Sequence, residues 1–340
     1  MQRNKIYCLD FIKGFAELKD DSIDMIMTSP PYWQAREYDG LGTIGFEKSP
    51  KEFVENLRPF VSESLRVLKP TGGLWLNIGD SRSQGKKRQR GRRDTDVNRR
   101  SKNFKGWSSW DGDTKVVDVE HDIPPKSFIG IPEMVMFMAL EEGFIIRNKI
   151  IWAKGAMRYD GATFGGTTPA PFKDNFAICW EFLYYMTKTR YNYFNMPASQ
   201  VPAKKGGMKN PLNVWVVPPA AGREKFSYKD QKNFATYPPA LVDIAIRAGC
   251  PPYVCTECGQ PKPMLPAYKT YKVCNCFPEG YVGDSTVICR GTILDPFGGS
   301  GTTAISAIKN GFYYILFDIS PEQCEYAEAR IKNVQTKSGT

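Results

Sequence analysis

Residues 292–303 read TILDPFGGSGTT, and their pattern is the strongest indication of the fold. An apolar strand-like run leads into a glycine-rich turn, and a helix-like pattern then continues until Gly311. A second apolar run, Phe312–Phe317, ends at Asp318. A strand, a glycine turn, a helix, a strand and an acidic residue in this order predict one unit of a doubly wound α/β sheet with a nucleotide-type binding loop.

The residues around this turn indicate what the loop binds. The glycines allow close backbone approach, and the free N–H groups at the start of the helix can bind a carboxylate. Asp318 lies twenty residues after Gly298, where an acidic side chain can accept hydrogen bonds from both ribose hydroxyls. Asp295 suits a cationic amine, and no lysine follows the loop where triphosphate-binding loops require one. A ligand with an amine, a carboxylate and a ribose fits S-adenosylmethionine.

A second motif lies about 260 residues earlier, where Met27–Trp33 reads MTSPPYW. It follows the apolar run Ser22–Thr28, which predicts a buried strand. The two prolines stiffen the backbone and hold a hydroxyl and two carbonyls beside aromatic rings. This arrangement could grip an amino group on a flat heterocycle, although a proline-rich turn is the commoner structure for such a string. Trp33 either extends the aromatic platform or packs in the core.

The rest of the chain shows βα alternation. Short apolar runs predict strands, and runs with helical periodicity predict helices. The further predicted strands are 5–9, 74–78, 144–152, 181–187 and 213–217, and the further predicted helices are 11–18, 53–68, 132–142 and 238–249. Thr71–Gly73 is predicted to be a turn before the strand at 74–78. Such alternation predicts a doubly wound sheet.

The positive charge is concentrated in one segment. The chain has 340 residues, 41% of them hydrophobic, and a formal net charge of +10. Between Arg82 and Lys105, eleven basic residues stand against two acidic ones, a net charge of +9. This segment, the basic loop, favours phosphate contacts, and a solvated insertion is the alternative. No long apolar run and no signal-peptide pattern is present, so we expect a cytoplasmic protein without a membrane segment.

Four of the nine cysteines have the spacing of metal ligands. They are Cys255, Cys258, Cys274 and Cys276. A CxxC pair, fifteen further residues and a CxC pair predict a small four-cysteine zinc ribbon, with Cys250 and Cys289 as substitute ligands. Unmetallated thiols and a disulfide are the alternatives, and a reducing compartment disfavours the disulfide.

The two motifs together resemble those of the amino-methyltransferases of DNA, in which an (Asp/Asn/Ser)-Pro-Pro-(Tyr/Phe) tetrapeptide is the catalytic motif. Here SPPY precedes DPFGGSGTT, which resembles the permuted order of the β class. Further similar segments are residues 65–70, 74–80, 173–174, 180–181, 191–194 and 234–238. The resemblance therefore extends over most of the chain.

The resemblance implies a fold, a reaction and a set of site residues. The fold is a Rossmann-like methyltransferase sheet with circularly permuted motifs, the cofactor is S-adenosylmethionine and the substrate is double-stranded DNA. Ser29 Oγ and the Pro30 carbonyl would accept hydrogen bonds from the target amine, and Tyr32 would stack on the base outside the duplex. The implied catalytic residues are Ser29, Pro30, Pro31 and Tyr32. The implied cofactor-binding residues are Asp10, Asp295, Phe297, Gly298, Ser300, Gly301, Thr302 and Asp318.

The target base follows from the first position of the catalytic motif. Serine there is commoner among N4-cytosine enzymes, so cytosine N4 is favoured and adenine N6 is the alternative. A C5-cytosine enzyme would need a Pro-Cys nucleophile, and the chain contains no Pro-Cys pair. An RNA methyltransferase, a protein-amide methyltransferase and a non-catalytic DNA-binding module are further alternatives. His121, the single histidine, is expected at the surface.

The predicted organisation has five parts. Residues 1–193 form a catalytic half that includes the basic loop, and 290–340 form the cofactor-binding half. Residues 194–235 are rich in Lys, Gly, Pro and Asn and look like an inserted target-recognition region rather than more sheet. A cofactor-packing helix (236–252) and the zinc-ribbon-like insertion (253–289) lie between them. Whether the protein has a cognate restriction endonuclease, and whether it forms a homodimer, are left open.

Overall fold

The computed structural model of the chain describes residues 1–34, 44–83, 121–165, 174–204, 206–220, 226, 237–262, 274, 276 and 288–338. Most of the basic loop, from 84 to 105, lies outside the described residues. The same holds for parts of the predicted recognition region and of the predicted zinc ribbon.

The described chain alternates strands and helices. The helices are α1 (Phe11–Ala16), α2 (Pro50–Val67), α3 (Ile131–Glu141), α4 (Met196–Ser199), α5 (Pro239–Gly249), α6 (Thr302–Lys309) and α7 (Pro321–Ser338). The strands are β1 (Lys5–Cys8), β2 (Ile23–Thr28), β3 (Leu68–Ile78), β4 (Ile145–Ala153), β5 (Gly155–Met157), β6 (Thr163–Gly165), β7 (Trp180–Thr187), β8 (Val201–Pro202), β9 (Met208–Lys209), β10 (Val214–Val216), β11 (Val254–Cys255), β12 (Ile288–Cys289), β13 (Thr292–Asp295) and β14 (Tyr313–Asp318).

Eight strands form one sheet in the order β1-β14-β13-β2-β3-β7-β4-β10. Strand β7 is antiparallel to β3 and β4, and the other neighbouring pairs are parallel. The chain runs from β13 through α6 to β14 on one side, and from β2 through α2 to β3 on the other. The strand order therefore reverses between β13 and β2, and ligands of open α/β sheets bind at such a switch point. The predicted α/β fold with a large central sheet is confirmed.

Both faces of the sheet are covered, which explains why its central strands are apolar throughout. All six residues of β2 are buried. Ile26 packs in a core with α1, α2 and α3, whereas Met25 and Met27 pack in a second core with α5, α6 and α7. Successive side chains of a strand point to opposite faces, so one short strand contributes to both cores. Among the described residues, no helix combines the length and the apolar character needed to cross a membrane.

The predicted turn at Thr71–Gly73 was wrong, because these residues lie inside β3. Gly72 and Gly73 allow neighbouring groups to pack closely against the backbone. A Cβ on Gly72 would lie 2.9 Å from the Asp24 carbonyl oxygen, and one on Gly73 would lie 2.7 Å from the Tyr185 ring. Glycine inside a strand often marks such a close approach rather than a turn.

The expectation that residues 194–235 add nothing to the sheet was also wrong. Val214–Val216 pairs in parallel with Ile151–Ala153 and forms the edge strand β10. Helix α7 had no counterpart among the predicted elements, although Tyr326, Ala327 and Ile331 on its inner face are buried. Strand β3 begins six residues before the predicted strand at 74–78, and the other predicted helices and strands occur with ends that differ by up to three residues.

Candidate active site at the switch point

The two sequence motifs meet at the carboxyl edge of adjacent strands. Thr28 is the last residue of β2 and Asp295 is the last residue of β13, and these strands are paired in parallel. The Thr28 hydroxyl donates a hydrogen bond of 2.7 Å to Asp295 Oδ1. Ser29, the first residue of SPPY, directly follows Thr28. Thr28 is in turn hydrogen-bonded to the last residue of the strand that leads into the glycine loop.

Asp295 is fully buried and is the centre of a hydroxyl network. Besides Thr28, the Thr303 hydroxyl donates to its Oδ2 at 2.6 Å and the Tyr237 hydroxyl at 2.9 Å. Burial raises the pKa of this carboxyl, and the hydrogen bonds from the hydroxyls oppose that shift. Protein donors thus engage both carboxylate oxygens, and Asp295 links the two motifs. Its contact with a cofactor amine stays a prediction.

The glycine loop has the backbone shape that its sequence predicts. Gly299 has φ +48° and Gly301 has φ +76°, a region that residues with a Cβ avoid. A Cβ on Gly301 would also lie 3.0 Å from Cβ of Ala327 on α7. The Gly299 N–H donates to Asp318 Oδ2 at 2.7 Å. The loop is therefore held against both the end of β14 and helix α7, and α6 begins directly after it.

Arg330 of α7 holds this loop by hydrogen bonds to Ser300 and Thr302. Its side chain is buried, and Nη1 donates to the Ser300 carbonyl oxygen at 2.9 Å, to Ser300 Oγ at 3.2 Å and to Thr302 Oγ1 at 2.8 Å. The motif search missed this residue because α7 was not predicted. The available signal was an arginine between Ala327 and Ile331 on one apolar helix face.

The other predicted cofactor residues lie along the same edge of the sheet. Asp318 ends β14 and also accepts a hydrogen bond from the Ser320 N–H at 2.9 Å. Asp10 follows the neighbouring strand β1 and caps α1 by accepting from the Ile12 N–H at 2.8 Å. The Phe297 ring lies against Phe11 and Phe60, with ring centroids 5.2 and 5.3 Å away. This half of the site combines two carboxylates, a glycine loop and a helix N-terminus.

The other side of the site is built around Tyr32 of the SPPY motif. Its hydroxyl donates to Glu181 Oε2 at 2.7 Å, with Asn77 Oδ1 at 3.3 Å. Sequence reasoning assigned no role to Asn77, and it noted Glu181 only as part of a family-like segment. These two contacts are made by residues that follow Tyr32 by 45 and 149 positions in the sequence.

Trp33 packs in the core rather than extending the platform. It is 3% exposed, and its Nε1 donates to the Glu47 carbonyl oxygen at 2.9 Å. His121 lies against this ring, with centroids 6.0 Å apart, and is half-buried. His121 was expected at the surface, and it is instead half-buried and packs beside the SPPY motif.

The four predicted zinc ligands come together in space. Their Sγ atoms all lie within 4.8 Å of one another, with Cys255 and Cys274 buried and Cys258 and Cys276 exposed. Among the described residues the cluster includes neither Cys250 nor Cys289. All nine cysteines are described, and none forms a disulfide. In a tetrahedral site with Zn–S bonds of about 2.3 Å, the sulfur atoms stand about 3.8 Å apart, which this cluster can meet.

Two solved structures share this architecture. The PvuII DNA methyltransferase, described as cytosine-N4-specific, aligns with a TM-score of 0.57 and 15% identity over 99% of this chain and 93% of that chain. A DNA modification methylase described as putative, from Thermus thermophilus and solved with S-adenosyl-L-methionine, aligns with a TM-score of 0.54 and 16% identity over 97% and 93%. The chain therefore has the α/β fold of DNA methyltransferases.

Sequence comparison identifies the family to which the chain belongs. Residues 23–329 match the N6/N4 DNA methylase family, and the chain belongs to this family. The Type II methyltransferase M.XycI of Xanthomonas campestris pv. cyanopsidis is 29% identical over 95% of this chain and 86% of its own length. M.Cfr9I of Citrobacter freundii, also a Type II methyltransferase, is 29% identical over 96% and 87%. The family resemblance predicted from the two motifs is confirmed.

Proposed function

We propose that this protein transfers a methyl group from S-adenosylmethionine to the exocyclic amine of a base flipped out of double-stranded DNA, with N4 of cytosine as the target. One observation carries the proposal. The SPPY motif and the glycine loop follow the ends of two adjacent parallel strands at the switch point. Thr28, the last residue of one strand, is hydrogen-bonded to Asp295, the last residue of the other. A donor loop and an acceptor motif so close together suit direct transfer between two bound molecules.

The residues on the donor side fit S-adenosylmethionine. Gly299 and Gly301, which both have positive φ angles, have no side chains and so leave the backbone accessible beside the N-terminus of α6. Such a backbone suits a carboxylate. Asp318 and Asp10 lie at the ends of neighbouring strands, where carboxylates can accept from ribose hydroxyls or an adenine amine. When bound, the cofactor supplies an electrophilic methyl group on a sulfonium.

On the acceptor side, Ser29 Oγ and the Pro30 carbonyl oxygen would accept hydrogen bonds from the two protons of the amine. These bonds oppose conjugation of the nitrogen lone pair with the ring and direct that lone pair at the methyl group. Tyr32 would stack on the flipped base. No covalent intermediate with the protein is needed, because positioning and charge stabilisation carry the catalysis.

The target base is tested by chemical analysis of the product. DNA is incubated with the protein and methyl-labelled cofactor and then digested to nucleosides. Label in N4-methylcytosine is the result expected from Ser29 at the first motif position. Label in N6-methyladenine would move the assignment to adenine, and unlabelled DNA under conditions where the cofactor binds would overturn the proposed activity.

We further propose that the basic loop and residues 194–235 bind the DNA. Changing the arginines and lysines of residues 84–105 to glutamine should weaken DNA binding similarly for all sequences and flatten its dependence on salt, because fewer counterions are released. Titrations at several salt concentrations measure both effects. As controls, Lys309→Gln and Lys332→Gln remove exposed charges from the cofactor half. An unchanged affinity and an unchanged salt slope would show that the loop is only a solvated insertion.

We also propose that the four-cysteine cluster holds one structural zinc ion. Purified protein should contain about one zinc per chain by elemental analysis, since four thiols within 4.8 Å of one another suit a tetrahedral site. Cys258→Ser should lose the metal and loosen this segment. Cys179→Ser changes a cysteine outside the cluster and should retain the metal. A metal-free sample that is fully folded and active would contradict this proposal.

Both relatives are named Type II methyltransferases. By analogy, we propose that a cognate endonuclease cuts the sequence that this protein methylates. DNA methylated by the protein should then resist that endonuclease, whereas DNA treated with a Ser29→Ala variant should be cut.

A further inference from the structure

The hydroxyl of Tyr32 contacts Asn77 of β3 and Glu181 of β7, and Lys154 in turn pairs with Glu181. Strand β7 runs antiparallel to β3 and β4, so its second residue, Glu181, lies at the edge where β3 and β4 end. Asn77 lies near the end of β3, and Lys154 directly follows β4. The strand directions alone therefore bring an amide, a carboxylate and an ammonium group to the acceptor side of the site.

Each oxygen of the Glu181 carboxylate has its own partner. Oε2 accepts from the Tyr32 hydroxyl at 2.7 Å and from Asn77 Nδ2 at 3.2 Å. Oε1 forms an ion pair with Lys154 Nζ. Asn77 is fixed in turn, because its Nδ2 also donates to the Phe182 carbonyl oxygen at 3.0 Å. The Tyr32 hydroxyl thus donates to a carboxylate that is itself oriented from two sides.

Gly79 provides the space for this contact. A Cβ at that position would lie 2.8 Å from Tyr32 Cε2 and 3.3 Å from Glu181 Cγ. Any other residue there would push the tyrosine ring or the glutamate away. The ring of Tyr32 therefore packs close to the backbone of Gly79, and its hydroxyl is held by Glu181.

Stability alone is a weak explanation for the Glu181–Lys154 pair. The side chain of Lys154 is 26% exposed and that of Glu181 is 13% exposed, and the cost of removing two charges from water offsets much of the attraction between them. What the pair does is hold a carboxylate in one orientation against the residue that should stack on the base. A carboxylate held in this way fixes where the Tyr32 hydroxyl lies, and with it the ring.

We propose that Glu181 is a positioning residue for methyl transfer, which fixes the position of the Tyr32 ring through its hydroxyl, and that Lys154 holds Glu181 in place. The inference rests on the proposed function, in which Tyr32 stacks on the flipped base. A ring locked before the base arrives presents its face without an ordering step, so the base is held at the angle that Ser29 and Pro30 require. Misplacement of a reacting group by about an ångström can lower a rate by about a hundredfold.

A double-mutant cycle tests the proposal on the full chain. Glu181→Ala should lower the single-turnover rate of DNA methylation about tenfold, a moderate case of misplacement, with an unchanged dissociation constant for S-adenosylmethionine. In a Tyr32→Phe background, which lacks only the hydroxyl, the same change should lower the rate less than about twofold, since the coupled groups act as one unit. Glu181→Gln keeps an acceptor oxygen and should recover part of the lost rate.

A matched control removes another carboxylate–lysine pair of the same strand. Asp21 Oδ1 pairs at 2.6 Å with Lys188, which directly follows the other end of β7. Asp21 has φ +53°, which asparagine tolerates, so Asp21→Asn should leave the rate and the melting temperature unchanged.

The outcomes are distinguishable. A tenfold loss in both backgrounds would show that Glu181 does not act through Tyr32 and would overturn the inference alone. A loss of rate matched by lost cofactor binding or a lower melting temperature would assign Glu181 a structural role instead. If the unaltered protein transfers no methyl group to DNA, the proposed function fails and this inference fails with it.

Discussion

Ser29→Ala is expected to lower methyl transfer to DNA by about 10²- to 10³-fold, the loss typical of removing one hydrogen-bonding group that acts on the transition state. In the proposed mechanism the serine hydroxyl is the side-chain acceptor for the target amine, and without it the nitrogen lone pair would stay conjugated with the ring. Incorporation of labelled methyl groups measures the rate. Cofactor affinity, measured by calorimetry, should change less than about twofold, because Ser29 belongs to the acceptor side.

The matched control for this change is Ser22→Ala. Ser22 lies just before the opposite end of β2, where its hydroxyl donates to the Lys19 carbonyl oxygen at 2.6 Å. Its loss should leave the methylation rate unchanged. If Ser29→Ala instead abolished cofactor binding while DNA binding persisted, the SPPY motif would have been assigned to the wrong half of the site.

Arg330→Met is expected to weaken S-adenosylmethionine binding at least about tenfold and to destabilise the fold by about 3 kcal/mol, the scale of breaking a buried, charged hydrogen-bond network. The guanidinium donates to the Ser300 carbonyl, the Ser300 hydroxyl and the Thr302 hydroxyl. Without it these buried acceptors lose a donor, and the glycine loop is no longer fixed to α7. Calorimetry gives the affinity, and denaturant unfolding gives the stability.

Lys332→Met provides the control for this second prediction. It makes the same kind of change at an exposed position two residues further along α7, and both affinity and stability should stay as in the unaltered protein. Normal cofactor affinity in Arg330→Met, with only the stability reduced, would mean that Arg330 anchors the helix and not the loop.

The parts of the site that could be predicted from sequence are those whose chemistry lies within a few consecutive residues. TSPPYW and DPFGGSGTT each combine a strand end with a turn, and parallel strands place such ends at one edge. The contacts across strands could not be predicted in this way. Glu181 reaches Tyr32 from a strand 149 residues away, and only the antiparallel direction of β7 puts it there.

The errors in the predicted fold have the same origin. Thr71–Gly73 has the composition of a turn, yet Gly72 and Gly73 are needed where Asp24 and Tyr185 approach the backbone. Residues 213–217 were predicted to form a strand, but the pairing of Val214–Val216 with β4 depends on tertiary structure and was not predicted. By contrast, the cysteine cluster was predictable, because ligand spacing is a property of the chain alone.

The most direct test of the proposed function uses DNA from cells that express the protein. This DNA is sequenced with a method that reports modified bases. N4-methylcytosine is expected at one defined duplex sequence in cells with the unaltered protein, and none is expected in cells with the Ser29→Ala variant. Exocyclic-amine methylation that persists in the variant, or DNA without any such base when the protein is folded and binds its cofactor, would contradict the proposed function.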